Sequence, residues 1–146
     1  MNELAEKNPF SFSYQQEISG VLGKSLRPRI PIQLKTKTNT WITISLYIDT
    51  GADISILPKS TIDILGVNLK SGNEVIVVGL AGELIRAYIH ELECRLEGTE
   101  GFKIRFAISE KESVVPVLGR DGFFQKFNFY FNNKDQTVQL EKINPS

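Results

Sequence analysis

Asp49-Thr50-Gly51 closes an apolar run and is followed by Ala52-Asp53-Ile54-Ser55-Ile56-Leu57-Pro58. A carboxylate at the tip of a buried strand, with a hydroxyl beside it and a glycine after it, suits the activation of water. The strand offers a dry, rigid seat, and a dry seat strengthens the pull of a carboxylate on a proton. The triplet occurs once in the chain. Alone it is a weak signal, because average residue usage yields it by chance in roughly a few per cent of chains this long. Asp and Gly also favour ordinary surface turns. Its surroundings argue for more than a turn: a strongly alternating strand precedes it, and Ile54 to Leu57 return to apolar character, so core brackets it on both sides.

Other reactive groups are sparse. Cys94 is the sole cysteine, which excludes an intrachain disulfide, and no Cys/His cluster with zinc spacing is present. His90 and Cys94 lie on one predicted strand, where residues four apart share a face but stand roughly 13 Å apart. They read as an ordinary strand histidine and a packed thiol. No metal site and no cofactor is expected.

The elements that must carry Asp49 are legible from turn chemistry and alternation. Ile30, Ile32 and Leu34 alternate with polar residues, Lys37-Thr38-Asn39-Thr40 supplies a turn, and Ile42, Ile44, Leu46 and Ile48 alternate again. This predicts a hairpin whose second strand delivers Asp49 at its end. Ile54–Leu57 reads as a short strand stopped by Pro58, and Ser60–Leu65 as one or two helical turns ending at Gly66. Glu74–Val78 and Glu83–Leu96 flank the glycine-bearing tip Gly79-Leu80-Ala81-Gly82, a second hairpin. Phe102–Ile108 continues the strand pattern, and Val114–Leu118 is an apolar run closed by Gly119-Arg120-Asp121-Gly122. Phe123–Phe127 reads as a short helix, and Phe129–Phe131 with Thr137–Leu140 form a last hairpin across Asn132–Asp135. Strands with turn signals at this spacing point to an all-β barrel or sandwich.

Bulk properties agree with one globular domain. The chain has 146 residues, 41% hydrophobic and 23% charged, with Lys+Arg and Asp+Glu both at 17. This balance lacks the basic footprint of a nucleic-acid binder. Lys24-Ser25-Leu26-Arg27-Pro28-Arg29 has no interleaved aromatic residue and reads as a solvated loop. Residues 1–25 read as a loosely attached arm, and 26–146 as the domain. Neither a signal pattern nor an apolar run of membrane-spanning length is visible, so a cytoplasmic location is the expectation.

Two motifs together carry a resemblance. Ile48-Asp49-Thr50-Gly51-Ala52-Asp53 with Ile56-Leu57-Pro58 resembles the catalytic loop of the retropepsins, the retroviral-type aspartic proteases. Val117-Leu118-Gly119-Arg120-Asp121-Gly122-Phe123-Phe124 resembles the segment that precedes the family's C-terminal helix. They stand in the family's order, with a glycine-tipped hairpin where the family has its flap, and the resemblance spans about residues 28 to 142.

The resemblance implies a retropepsin-like β-barrel with a flap hairpin and one short C-terminal helix, acting as a two-fold homodimer. It implies an aspartic endopeptidase whose partners are a second copy of itself and a protein or peptide substrate, without nucleic acid. Asp49 is the catalytic residue this implies, supported by Thr50 (bonded across the dimer axis), Gly51 (open to the substrate backbone) and Ala52. Asp53 is implied to accept a bidentate pair from Arg120. Val78, Gly79, Leu80, Ala81 and Gly82 are implied as the flap tip. Fold does not guarantee turnover, so a silent dimerisation or peptide-binding module of the same fold stays open.

Overall fold

The computed structural model describes residues 10–79 and 81–144. Its centre is the hairpin of β4 (Arg29–Lys35) and β5 (Trp41–Ile48), in the register Ile30↔Leu46, Ile32↔Ile44, Leu34↔Ile42. Alternation has its expected effect, since Ile30, Ile32, Leu34 and Leu46 are wholly buried. Asn39 takes the left-handed conformation in the connecting turn, where the Thr36, Thr38 and Thr40 hydroxyls bond to one another.

After Asp49 the chain forms β6 (Ser55–Leu57) and then the helical turn α1 (Thr61–Leu65). Gly66 ends that turn at φ 75°, and its N–H donates to the Ile62 carbonyl at 2.8 Å, the glycine C-terminus foreseen above. The second hairpin joins β7 (Asn73–Val78) to the long β8 (Leu84–Arg95), and β9 (Phe102–Ser109) pairs antiparallel to β8. The two-residue β10 (Val117–Leu118) inserts between β5, to which it is parallel, and β6, to which it is antiparallel. β6 pairs parallel with β9, and β8 closes on β4 through Gln33↔Arg95 and Leu34↔Cys94. The order β4-β5-β10-β6-β9-β8 therefore returns to β4 as a closed six-stranded barrel, with β7 attached outside on β8. Closure leaves those six strands no long free edge.

Three expectations need correction. Phe123–Phe127 is no helix: the chain turns there, with Phe127 N–H bonded to the Phe123 carbonyl at 3.2 Å and no continuation. Gly122 holds φ 84° beside Ile104, and Phe123, Phe124 and Phe127 are used for packing rather than for a helix face. Phe123 stacks on Phe127 with centroids 5.0 Å apart, while Phe124 meets Phe129 at 4.6 Å. The chain is thus already in β11 (Phe127–Asn132), which pairs with β12 (Thr137–Lys142).

The N-terminal segment is also no loose arm from Phe10 onward. β1 (Phe10–Ser13) pairs with β12 through Phe10↔Leu140 and Phe12↔Val138, making a three-stranded sheet below the barrel core. Its partner lies at the far end of the sequence, which local turn signals cannot reveal. β2 (Gln15–Ser19) and β3 (Gly23–Arg27) form a separate hairpin, so Lys24–Arg27 is strand and not solvated loop. Residues 1–9 of that segment lie outside the described residues.

Phe10 and Phe12 pack against the core, Phe10 edge-on to Phe127 at 6.1 Å. The double substitution Phe10→Ala/Phe12→Ala is expected to cost about 2–4 kcal/mol. Urea unfolding measures this as a lower midpoint at unchanged slope; an unmoved midpoint would mean the segment is dispensable.

Candidate active site

The loop after β5 is fixed by backbone bonds before any side chain acts. Tyr47 N–H donates to the Pro116 carbonyl at 3.0 Å, Ile48 N–H to Pro28 at 3.1 Å, and Asp49 N–H to Leu118 at 3.0 Å. Asp49 then opens a tight turn: its carbonyl accepts from Ala52 N–H at 3.2 Å, and its Oδ1 accepts from Gly51 N–H at 2.9 Å. The side chain thereby mimics a backbone turn and is held at a set orientation by its own loop.

The 117–121 segment locks the other limb of the loop. Arg120 N–H donates to the Ala52 carbonyl and Asp121 N–H to Asp53, both at 2.9 Å. Gly119 N–H donates to Ser55 Oγ at 3.0 Å in a buried position. A Cβ on Gly119 would lie 2.4 Å from the Ile54 carbonyl carbon, so only glycine lets the two backbones approach this closely. Ser55 is fully buried. In the sequence it is one residue of an apolar strand, and a hydroxyl between Ile54 and Ile56 is the signal that marks it.

Among the expected residues, Asp49, Gly51, Ala52, Asp53 and Arg120 come together. Arg120 Nη2 meets Asp53 Oδ1 by a single contact rather than a bidentate pair. The bidentate geometry belongs to a neighbouring pair not foreseen: Arg105 Nε and Nη2 donate to Asp121 Oδ2 and Oδ1 at 3.0 and 2.8 Å. With Asp53 89% and Arg120 57% exposed, their attraction in this chain alone is screened and contributes little. Asp49 and Thr50 are exposed as well, against the expectation of a dry seat. Leu46 and Leu118 behind Asp49 are wholly buried, but the carboxylate itself is open to water.

The loop forms the floor of a cleft of about 1000 Å³ that extends to the β7–β8 hairpin. Val77, Val78 and Gly79 line it from the hairpin, and Ile56, Ala87, Ile89 and Val117 from the barrel. Glu83, Arg105, Lys111 and Asp121 add charge. At the hairpin tip Gly79 N–H donates to the Glu83 carbonyl at 2.9 Å, and Gly82, at φ 82°, donates to Gly79 at 3.0 Å. Ala81 and Gly82 are exposed; Leu80 lies outside the described residues.

The remaining reactive groups serve packing. Burial pushes the Cys94 thiol up to about 12, so it holds no thiolate near neutral pH. His90 Nε2 is engaged with the Leu69 carbonyl at 2.8 Å. Among the described residues no group of three His, Cys, Asp or Glu is placed to hold a metal ion, and no helix is long and apolar enough to cross a membrane.

No protein-family model and no curated protein matches the sequence. Solved structures do match. A retropepsin-like aspartic protease from Rickettsia conorii superposes with a TM-score of 0.59 at 18% identity, covering 90% of this chain and 98% of that one. The retroviral protease-like domain of Ddi1 from Leishmania major gives 0.54 at 15% identity, covering 81% and 94%. The chain has a retropepsin-like fold.

The contacts between residues 117–121 and the Asp49–Ser55 loop form a seam centred on Gly119 and Ser55. Ser55→Ala strips the buried Gly119 N–H of its acceptor and is expected to destabilise by about 1–3 kcal/mol. Gly119→Ala, which forces backbone against backbone, is expected to cost at least as much. Thermal melts of both variants check this; wild-type stability for either would show that the seam does not hold the loop.

Proposed function

We propose that this chain is one half of a homodimeric aspartic endopeptidase. The observation that supports it best is Asp49, oriented by Gly51 N–H on the floor of a cleft large enough for an extended peptide. One triplet per chain means that a second carboxylate comes from a second copy, related by a two-fold axis through the loops. Two carboxylates at close quarters cannot both ionise, and they share one proton; this is a property of the aspartic-protease family carried over with the fold.

Chemistry then follows in two steps. The ionised Asp49 takes a proton from water as its oxygen bonds to the scissile carbonyl carbon, while the protonated Asp49 gives its proton to the carbonyl oxygen. The resulting diol collapses as the carbon–nitrogen bond breaks: the protonated carboxyl gives its proton to the nitrogen, and the ionised one takes the proton of a diol hydroxyl, which restores the shared proton. Thr50 braces the paired loops across the axis, and Gly51 and Ala52 let the substrate backbone come near. Asp53 with Arg120 fixes the end of the loop. Val78, Gly79, Leu80, Ala81 and Gly82 act as the flap tip that covers the peptide and keeps bulk water out. The substrate binds extended, pairing by its backbone with alternate side chains in pockets. Those pockets draw on Ile56, Ala87, Ile89 and Val117, so apolar residues beside the scissile bond are favoured.

Asp49→Asn is expected to lower peptide cleavage at mildly acidic pH by about 10²–10⁴-fold without lowering the melting midpoint. Undiminished cleavage by this variant sinks the proposal. A peptide-library profile is expected to show apolar residues on both sides of the cleaved bond; charged residues at both positions would contradict the pocket assignment.

A further inference from the structure

The β2–β3 hairpin is the least accounted for part of the fold. Among the described residues it pairs with no other strand, and a two-stranded ribbon alone is marginal in water. Its inward side chains tie it to β5. Gln15 Nε2 donates to Ser45 Oγ at 3.2 Å, and Glu17 accepts from both the Tyr47 hydroxyl and Arg29. Arg29 in turn lies over the Tyr47 ring, 4.6 Å from its centroid. The Tyr47 hydroxyl bond, above all, holds the Glu17 carboxyl below the usual carboxylate range, so this anchor is ionised at neutral pH.

The base of the hairpin lies at the Asp49 end of β5: Gln15 pairs with Arg27, next to Pro28, whose carbonyl accepts from Ile48 N–H at 3.1 Å. At its other end is the turn between Ser19 and Gly23. That turn is built, since Ser19 Oγ accepts from Val21 and Leu22 N–H at 3.2 and 3.1 Å. It is also conspicuously apolar: Ile18 is 78%, Val21 90% and Leu22 75% exposed. An ordered turn that presents three large apolar side chains to water marks an interaction surface.

We propose that this turn is a dimerisation arm whose occupant is the second copy of this chain. The proposal rests on the dimeric reading above. A two-fold partner that brings Asp49 to Asp49 must sit against the Asp49 end of β5, which is the end at which the arm is rooted. Symmetry then supplies the contact twice, each arm's Val21 and Leu22 covering the other protomer beside its own Asp49 loop. Because Glu17 and Gln15 grip the strand that ends in Asp49, docking of the arm also sets the distance between the two loops.

Sedimentation equilibrium of the full chain tests this, with peptide cleavage followed across protein concentration. Val21→Asp/Leu22→Asp leaves the protomer folded, since both side chains are exposed. It is expected to raise the dimer dissociation constant by about 10- to 100-fold, with cleavage recovering as protein concentration rises. Val21→Ile/Leu22→Met is expected to keep wild-type association. A wild-type dimer that cleaves peptides and is indifferent to the two aspartates overturns the arm and leaves the protease reading standing. A dimer weakened by them but inert toward peptides supports the arm and removes that reading. A strictly monomeric wild type overturns the arm.

Discussion

The structure turns on the seam between residues 117–121 and the loop from Asp49 to Ser55. β10 is only two residues long, yet it links β5 in parallel and β6 in antiparallel pairing, so both limbs of the loop are referred to one short segment. Asp49 N–H reaches Leu118 on one side, Arg120 N–H reaches Ala52 on the other, and Ser55 takes the Gly119 N–H between them. Each bond is ordinary in strength, but together they leave the loop few alternatives, because a buried backbone donor without a partner costs more than the bond itself contributes. Gly119 is the condition for all of them: any side chain there separates the strands before the bonds can close.

The same seam explains why the site was legible before the fold was. Asp49-Thr50-Gly51-Ala52-Asp53 and Leu118-Gly119-Arg120 are far apart in sequence but form one structural unit, and their residue types record its constraints. The β4–β5 and β7–β8 hairpins were legible because local alternation and local turns suffice to define them. What escaped were features whose cause is distant. β1 exists because β12, more than a hundred residues on, offers Val138 and Leu140 to Phe12 and Phe10. The missing C-terminal helix had suitable periodicity, but Gly122 against Ile104 and the aromatic cluster around Phe123 set a different path, and tertiary packing outweighs a five-residue propensity. Ser55 escaped because its role depends on a glycine sixty-four residues later.

Exposure of Asp49 is the most instructive departure. A strand tip was expected to be dry, and Leu46 and Leu118 behind it are indeed wholly buried. The carboxylate itself stands on the solvent side of that core, with Thr50 beside it. In water, an isolated carboxylate is solvated and exchanges protons with solvent more readily than with a bound reactant. What changes a carboxylate's chemistry is exclusion of water and a second charge nearby. The fold therefore invests its rigidity in orientation, through Gly51 N–H and the seam, and in the proposed dimer the electrostatic environment would be completed by association.

That division puts weight on whatever determines how a second loop arrives. Exposed charges such as Asp53 and Arg120 steer an encounter but fix geometry poorly on their own. Apolar burial supplies free energy without direction, and backbone-anchored elements supply direction without much free energy. The β2–β3 hairpin combines the two: Gln15 and Glu17 tie it to the strand that ends in Asp49, and Val21 and Leu22 carry the apolar surface. A loop rigid within its own chain gains nothing if its neighbour can arrive at any angle, so an element that couples association to the Asp49 strand is what such a half-site requires. In this chain the β2–β3 hairpin, tied to that strand by side chains, also carries an apolar turn that the described barrel leaves uncovered.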